Sequence, residues 1–74
     1  MTRVVVYTAP GCHLCTHAVE AVREVCGEDF DLVDITSDPR LEERYRTWIP
    51  VVKVDGVERF RYELAADDLA ALLS

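Results

Sequence analysis

The hydrophobic period changes twice between residues 3 and 35, and this change restricts the fold more than any other feature of the chain. Arg3-Val4-Val5-Val6-Tyr7 is β-branched and aromatic without alternation, the pattern of a strand buried on both faces. Thr8-Ala9-Pro10-Gly11 breaks the run. From Cys12 onward the apolar positions are 12, 15, 18, 19, 22, 25 and 26, the spacing of one helix face, and Gly27 is the stop signal. Phe30 to Ile35 then reads as a second strand. A strand, a helix and a second strand imply parallel pairing through a right-handed crossover.

The remainder carries its own punctuation. Thr36-Ser37-Asp38-Pro39 opens a second helix with Asp38 as N-cap and Pro39 at the first helical position, running to about Tyr45. Val51 to Val54 is a third strand, Asp55-Gly56 a two-residue type I′ turn, and Val57 to Arg61 the returning strand. Ala66 to Leu73 is a closing helix with Leu69, Leu72 and Leu73 on its inner face. The order βαβαββα gives an α/β fold, a four-stranded mixed sheet flanked by three helices on both faces. No linker, repeat or low-complexity stretch divides residues 1–74, which form one domain.

Charge and cysteine count narrow the function. A net charge of −6 argues against nucleic acid and against anionic membrane surfaces, where basic patches supply affinity. No apolar run approaches the roughly 18 residues of a membrane span, and Met1-Thr2-Arg3, followed by strand-type residues, lacks the length and cleavage site expected of a signal peptide. The expected location is cytoplasmic and the expected state a monomer. Three cysteines is an odd count, unlike a secreted disulfide scaffold, and suggests one working pair plus one bystander.

The pair is Cys12 and Cys15, in Pro10-Gly11-Cys12-His13-Leu14-Cys15. The βαβ frame puts it at the turn leaving the first strand, with Cys12 the first residue of the helix and Cys15 one turn inside. The first helical N–H groups lack intrahelical partners, and the helix start carries partial positive charge; both favour a thiolate on Cys12. A fall in thiol pKa from about 8.5 to about 6.5 raises the thiolate fraction at neutral pH about 25-fold. Intrinsic nucleophilicity drops roughly 6- to 10-fold, so the larger benefit is a better leaving group. His13, between the cysteines, either tunes the thiolate or is an exposed polar residue; His17 reads as surface. A structural zinc site needs four ligands and one C-x-x-C supplies two. A staple closing so short a loop removes little chain entropy. Cys26 reads as a small core residue.

Val5-Val6-Tyr7-Thr8, then Pro10-Gly11-Cys12 and Leu14-Cys15, then Ile49-Pro50-Val51 and Asp55-Gly56, resemble the glutaredoxin branch of the thioredoxin-like superfamily, closest to small bacterial glutaredoxin-like domains. The resemblance implies the thioredoxin-like fold, glutaredoxin type, over nearly the whole chain. It implies a cis Pro50 against the dithiol, with the backbone of Ile49 free to pair with an extended substrate. Two departures bear on glutathione. Glutathione-using members carry Gly-Gly ten and eleven residues after the proline, where this chain has Phe60 and Arg61. The basic residue shortly before the dithiol is also missing. Glu63 lies near the expected acid, and Arg46 offers a cation for a carboxylate. Thioredoxin fits less well, because Val4, Val5 and Val6 leave no buried acid beside the pair. Trp48 reads either as a wall of the substrate groove or as packing over the second helix.

The expected activity is thiol–disulfide oxidoreduction. Cys12 attacks, Cys15 resolves, and His13, Leu14, Trp48, Ile49 and Pro50 bind substrate. Arg46 and Glu63 are the expected glutathione contacts. Protein disulfides are the expected substrates, with glutathione mixed disulfides second. The electron donor is glutathione or a thioredoxin-reductase-like enzyme, and no metal or organic cofactor is required beyond glutathione as co-substrate. The rival class is a metal or iron–sulfur carrier using Cys12.

Overall fold

A computed structural model describes residues 3–74, so Met1 and Thr2, on which the leader reading partly rests, lie outside the described residues. The elements are β1 (Val4–Thr8), α1 (His13–Cys26), β2 (Asp31–Asp34), a 3-10 turn (Ile35–Ser37), α2 (Pro39–Tyr45), β3 (Val51–Val54), β4 (Val57–Arg61) and α3 (Ala66–Leu73). The sheet order is β2-β1-β3-β4. β1 runs parallel to β2, with Val6 opposite Leu32, and antiparallel to β3, with Val6 opposite Val52. β3 and β4 form the predicted hairpin, and both turn residues take positive φ, 53° at Asp55 and 82° at Gly56.

The two faces of the sheet are covered unequally. On one, Val4, Val6, Val52 and Val54 meet Val22 of α1 and Leu69 of α3 in one buried cluster. On the other, Val51 packs with Ile35 and with Tyr45 of α2, joined by Tyr7, Leu41 and Ile49. α2 is only seven residues long, so it shields one end of that face. β1 is therefore not buried on both sides throughout, since Val5 and Tyr7 are half-buried. Lys53 lies in this thin region, its Nζ 5.3 Å from the Tyr7 ring centre and 5.6 Å from that of Tyr45. A long apolar stem with a cation over aromatic faces covers sheet that a longer helix would otherwise shield.

Two boundaries and one helix face differ from the sequence reading. Phe30 precedes β2 and packs against the first core cluster instead of pairing. Ile35 is buried as expected but in the 3-10 turn. The Oδ1 of Asp34 accepts from the backbone N–H of Thr36 at 2.9 Å and from its hydroxyl at 2.6 Å, offering the chain a turn in place of a ladder bond. Leu72 is exposed at 39%, unlike Leu69 at 0%, so the inner face of α3 is Leu69 with half-buried Leu73. The caps match: Asp38 Oδ1 accepts from the Arg40 N–H at 2.9 Å, and Gly27 at φ 63° donates to the Arg23 carbonyl at 2.8 Å.

Candidate functional site

β1 carries the chain out of the sheet, and Ala9-Pro10-Gly11 turns it into α1. Gly11 sits at φ 78°, where a residue with a side chain would be strained. Cys12 is then extended, at φ −91° and ψ 109°, and is the N-cap of α1; the helix begins at His13, one residue later than the sequence reading placed it. The Cys12 Sγ accepts from the backbone N–H of Cys15 at 3.2 Å, the position that a serine or aspartate oxygen takes in an ordinary cap. The sulfur thus meets one of the unpaired amides of the first turn directly. No acidic side chain stands in that turn to oppose an anion.

The two cysteines differ in access. Cys12 is partly exposed and Cys15 is 3% exposed. Their sulfurs are paired and their Cα atoms lie 5.2 Å apart. Among the described residues no charged or polar side chain is buried, so no interior carboxylate stands beside Cys15. His13 and Leu14 both project to solvent, Leu14 at 45%. A cleft along α1 joins Thr8, Pro10 and His13 to Cys12 and Cys15. Cys26 lies at the far end of the helix, where burial first and the nearby Asp29 second push its thiol pKa up.

The Ile49–Pro50 bond is cis and the Pro50 side chain is fully buried. The Ile49 backbone, expected to be free to pair with an extended substrate, has its N–H already engaged. Its N–H donates to the Tyr45 carbonyl at 3.0 Å, and the Trp48 N–H donates to the same oxygen at 2.8 Å. Trp48 is 40% exposed, with the Arg61 guanidinium carbon 4.6 Å from its ring centre and the Tyr62 ring 5.8 Å away, tilted by 45°. Its neighbours therefore stand on and just after β4, not only on the second helix.

Tyr62 is the residue that sequence reasoning missed. It has φ 64°, a left-handed conformation costing a side-chain-bearing residue roughly 1–2 kcal/mol. Its N–H donates to the Pro50 carbonyl at 2.9 Å. A bulge puts it there: Val52 pairs with Phe60 but Lys53 with Glu58, so Arg59 is an extra residue. A glycine would have signalled such a backbone, whereas a tyrosine gives no warning. Of the two positions where relatives using glutathione carry glycine, Phe60 is half-buried against the first core cluster. Arg61 is exposed, ion-paired to Glu58 and stacked on Trp48.

The remaining predicted residues are not gathered into one pocket. Glu63 is exposed and lines a shallow groove with Leu14, His17 and Tyr62. Arg46 is exposed at the end of α2, where its N–H caps the Glu42 carbonyl. Neither side chain forms an ion pair among the described residues. Among the described residues no group of three or more His, Cys, Asp or Glu side chains is placed to hold a metal ion.

The sequence model of the Glutaredoxin-like domain (DUF836) matches residues 3–74. No curated protein matches the chain. The X-ray structure of target protein XcR50 from X. campestris is 31% identical, covering 95% of this chain and 93% of that one, with a TM-score of 0.81. The solution structure of Ne2328 from Nitrosomonas europaea is 26% identical, covering 99% and 92%, with a TM-score of 0.73. A mutant thioredoxin from Halobacterium salinarum, 18% identical over 96% of this chain and 70% of that one, has a TM-score of 0.68 and attests the fold alone. The paired cysteines at the start of α1 suit this fold to redox chemistry in general. The chain belongs to the glutaredoxin-like domain family (DUF836) of the thioredoxin-like superfamily.

Proposed function

We propose that the protein is a dithiol oxidoreductase that reduces disulfides of protein substrates in the cytoplasm. The observation that carries this reading is the unequal pair: a partly exposed Cys12 sulfur capping α1 and a buried Cys15 one turn behind. Cys12, as thiolate, attacks one sulfur of the substrate disulfide; the second substrate sulfur leaves as a thiolate and takes a proton. Cys15 then loses its proton and attacks Cys12 Sγ, which breaks the mixed disulfide and releases the first-attacked substrate sulfur as a thiolate that takes up a proton. Two electrons pass to the substrate, and the Cys12–Cys15 disulfide remains for an external thiol donor to reduce. Glutathione is the second-choice substrate, because Phe60 and Arg61 stand where relatives that bind it have bare backbone.

The test is trapping. With Cys15→Ser the mixed disulfide on Cys12 cannot resolve, so protein adducts accumulate and are identified after non-reducing separation. Equal trapping by Cys12→Ser with Cys15 intact would contradict the assignment of roles. Visible absorbance or stoichiometric metal in the purified protein would favour the carrier reading instead.

A further inference from the structure

The proposed reaction needs a surface that holds the substrate's chain against Cys12, and main-chain pairing is restricted here. The N–H groups of Trp48, Ile49 and Tyr62 are all spent internally, on the carbonyls of Tyr45 and Pro50. A partner strand finds no amide donor at these positions, which leaves side chains a larger share of recognition. Among the exposed large apolar side chains are Leu14 at 45%, Tyr62 at 43% and Trp48 at 40%. They are contiguous. Leu14, between the two cysteines in sequence, lines one groove with Tyr62, and the Tyr62 ring lies 5.8 Å from that of Trp48. Tyr62 presents its ring from a left-handed backbone that glycine adopts at no steric cost, so a bulky residue is held there against local preference.

Building on the oxidoreductase reading, we infer that Leu14, Tyr62 and Trp48 form an apolar shelf selecting protein substrates with an aromatic or large aliphatic side chain beside the disulfide. Tyr62 is the specificity-determining residue, joining the Leu14 side of the dithiol to Trp48. Such a side chain gains an aromatic contact and buries against the shelf, whereas a small polar one gains neither. A single apolar contact of this size discriminates by about tenfold or more.

The experiment uses the pre-reduced protein in single turnover, so that its own dithiol supplies the two electrons. The probes are two synthetic peptides, each closed by one disulfide and identical except for Phe or Ser beside one cysteine. For the unaltered protein the second-order rate constant is about tenfold higher with the Phe peptide. Tyr62→Gly, which suits the backbone, collapses that ratio to about one, and Tyr62→Phe retains it. Equal rates for the two peptides with the unaltered protein, or a ratio untouched by Tyr62→Gly, would overturn the shelf while leaving the oxidoreductase reading intact. Failure to reduce either peptide, or a small-molecule disulfide, would overturn both.

Discussion

The sulfur of Cys12 accepts a hydrogen bond from the backbone N–H of Cys15 at 3.2 Å, so the two cysteines are joined through a helix cap as well as through their sulfurs. The cap orients Cys12 outward and draws Cys15 into the first turn, where it is buried. One short segment, Gly11 to Cys15, thereby holds one sulfur accessible and the other buried, the asymmetry on which the proposed roles rest.

Tyr62 combines a left-handed backbone with an exposed ring. Tyr62→Gly relieves roughly 1–2 kcal/mol of backbone strain. It loses a partly exposed aromatic contact of about 0.5 kcal/mol and adds unfolded-chain entropy of about 0.4–1 kcal/mol. These terms sum to between about −0.5 and about +1 kcal/mol, so Tyr62→Gly leaves stability near the unaltered value or slightly above it, whereas Tyr62→Val, β-branched at positive φ, lowers it by about 1–2 kcal/mol. Urea unfolding midpoints of the two variants check the contrast.

Leu69 is the only buried residue of α3. Leu69→Ala should cost about 2–5 kcal/mol, a large share of the stability of a domain this small. Leu72→Ala, on the exposed side of the same helix, should change stability by less than about 0.5 kcal/mol. Denaturant titration of both variants separates the inner face of the helix from the outer.

Asp34 has its carboxyl held below the ordinary range, first by the Thr36 hydroxyl and then by the Thr36 backbone N–H. A depressed carboxyl contributes stability above its unfolded pKa of about 3.9 and loses it as pH falls through the folded value. Asp34→Asn therefore flattens the acid limb of the stability curve below about pH 4. Unfolding midpoints measured from pH 5 downward, in both proteins, check the slope.

Cys26 has its thiol pKa raised, chiefly by burial and then by Asp29. The native state holds that proton where the unfolded chain releases it, so this contribution to stability falls as pH rises above about 8.5. In the native protein at mildly alkaline pH, iodoacetamide should label Cys26 several-fold more slowly than in urea. Mass spectrometry of timed samples reads the difference.

Most element boundaries were legible because particular residues mark them. Pro10-Gly11, Gly27, Asp38-Pro39 and Asp55-Gly56 each impose a local geometry that the structure reproduces. Ile35 misled because a buried aliphatic looks the same at the end of a strand and inside a 3-10 turn; the Asp34 side chain decides between them. Leu72 misled because α3 touches the core along a narrow seam. The Arg59 bulge and the left-handed Tyr62 leave no trace in composition, since neither position holds glycine. The dithiol was visible from spacing alone. The capture of the Ile49 N–H by Tyr45 was not, because that bond depends on how the end of α2 meets β3.

The account turns on Cys12 being the reactive sulfur because it is both capped and accessible. Limited alkylation of the fully reduced protein with substoichiometric iodoacetamide at neutral pH, mapped by mass spectrometry, tests this most directly. Cys12 should be modified about tenfold faster than Cys15 or Cys26, given its access and the thiolate-favouring helix start. Modification of Cys15 at an equal or greater rate would contradict the account.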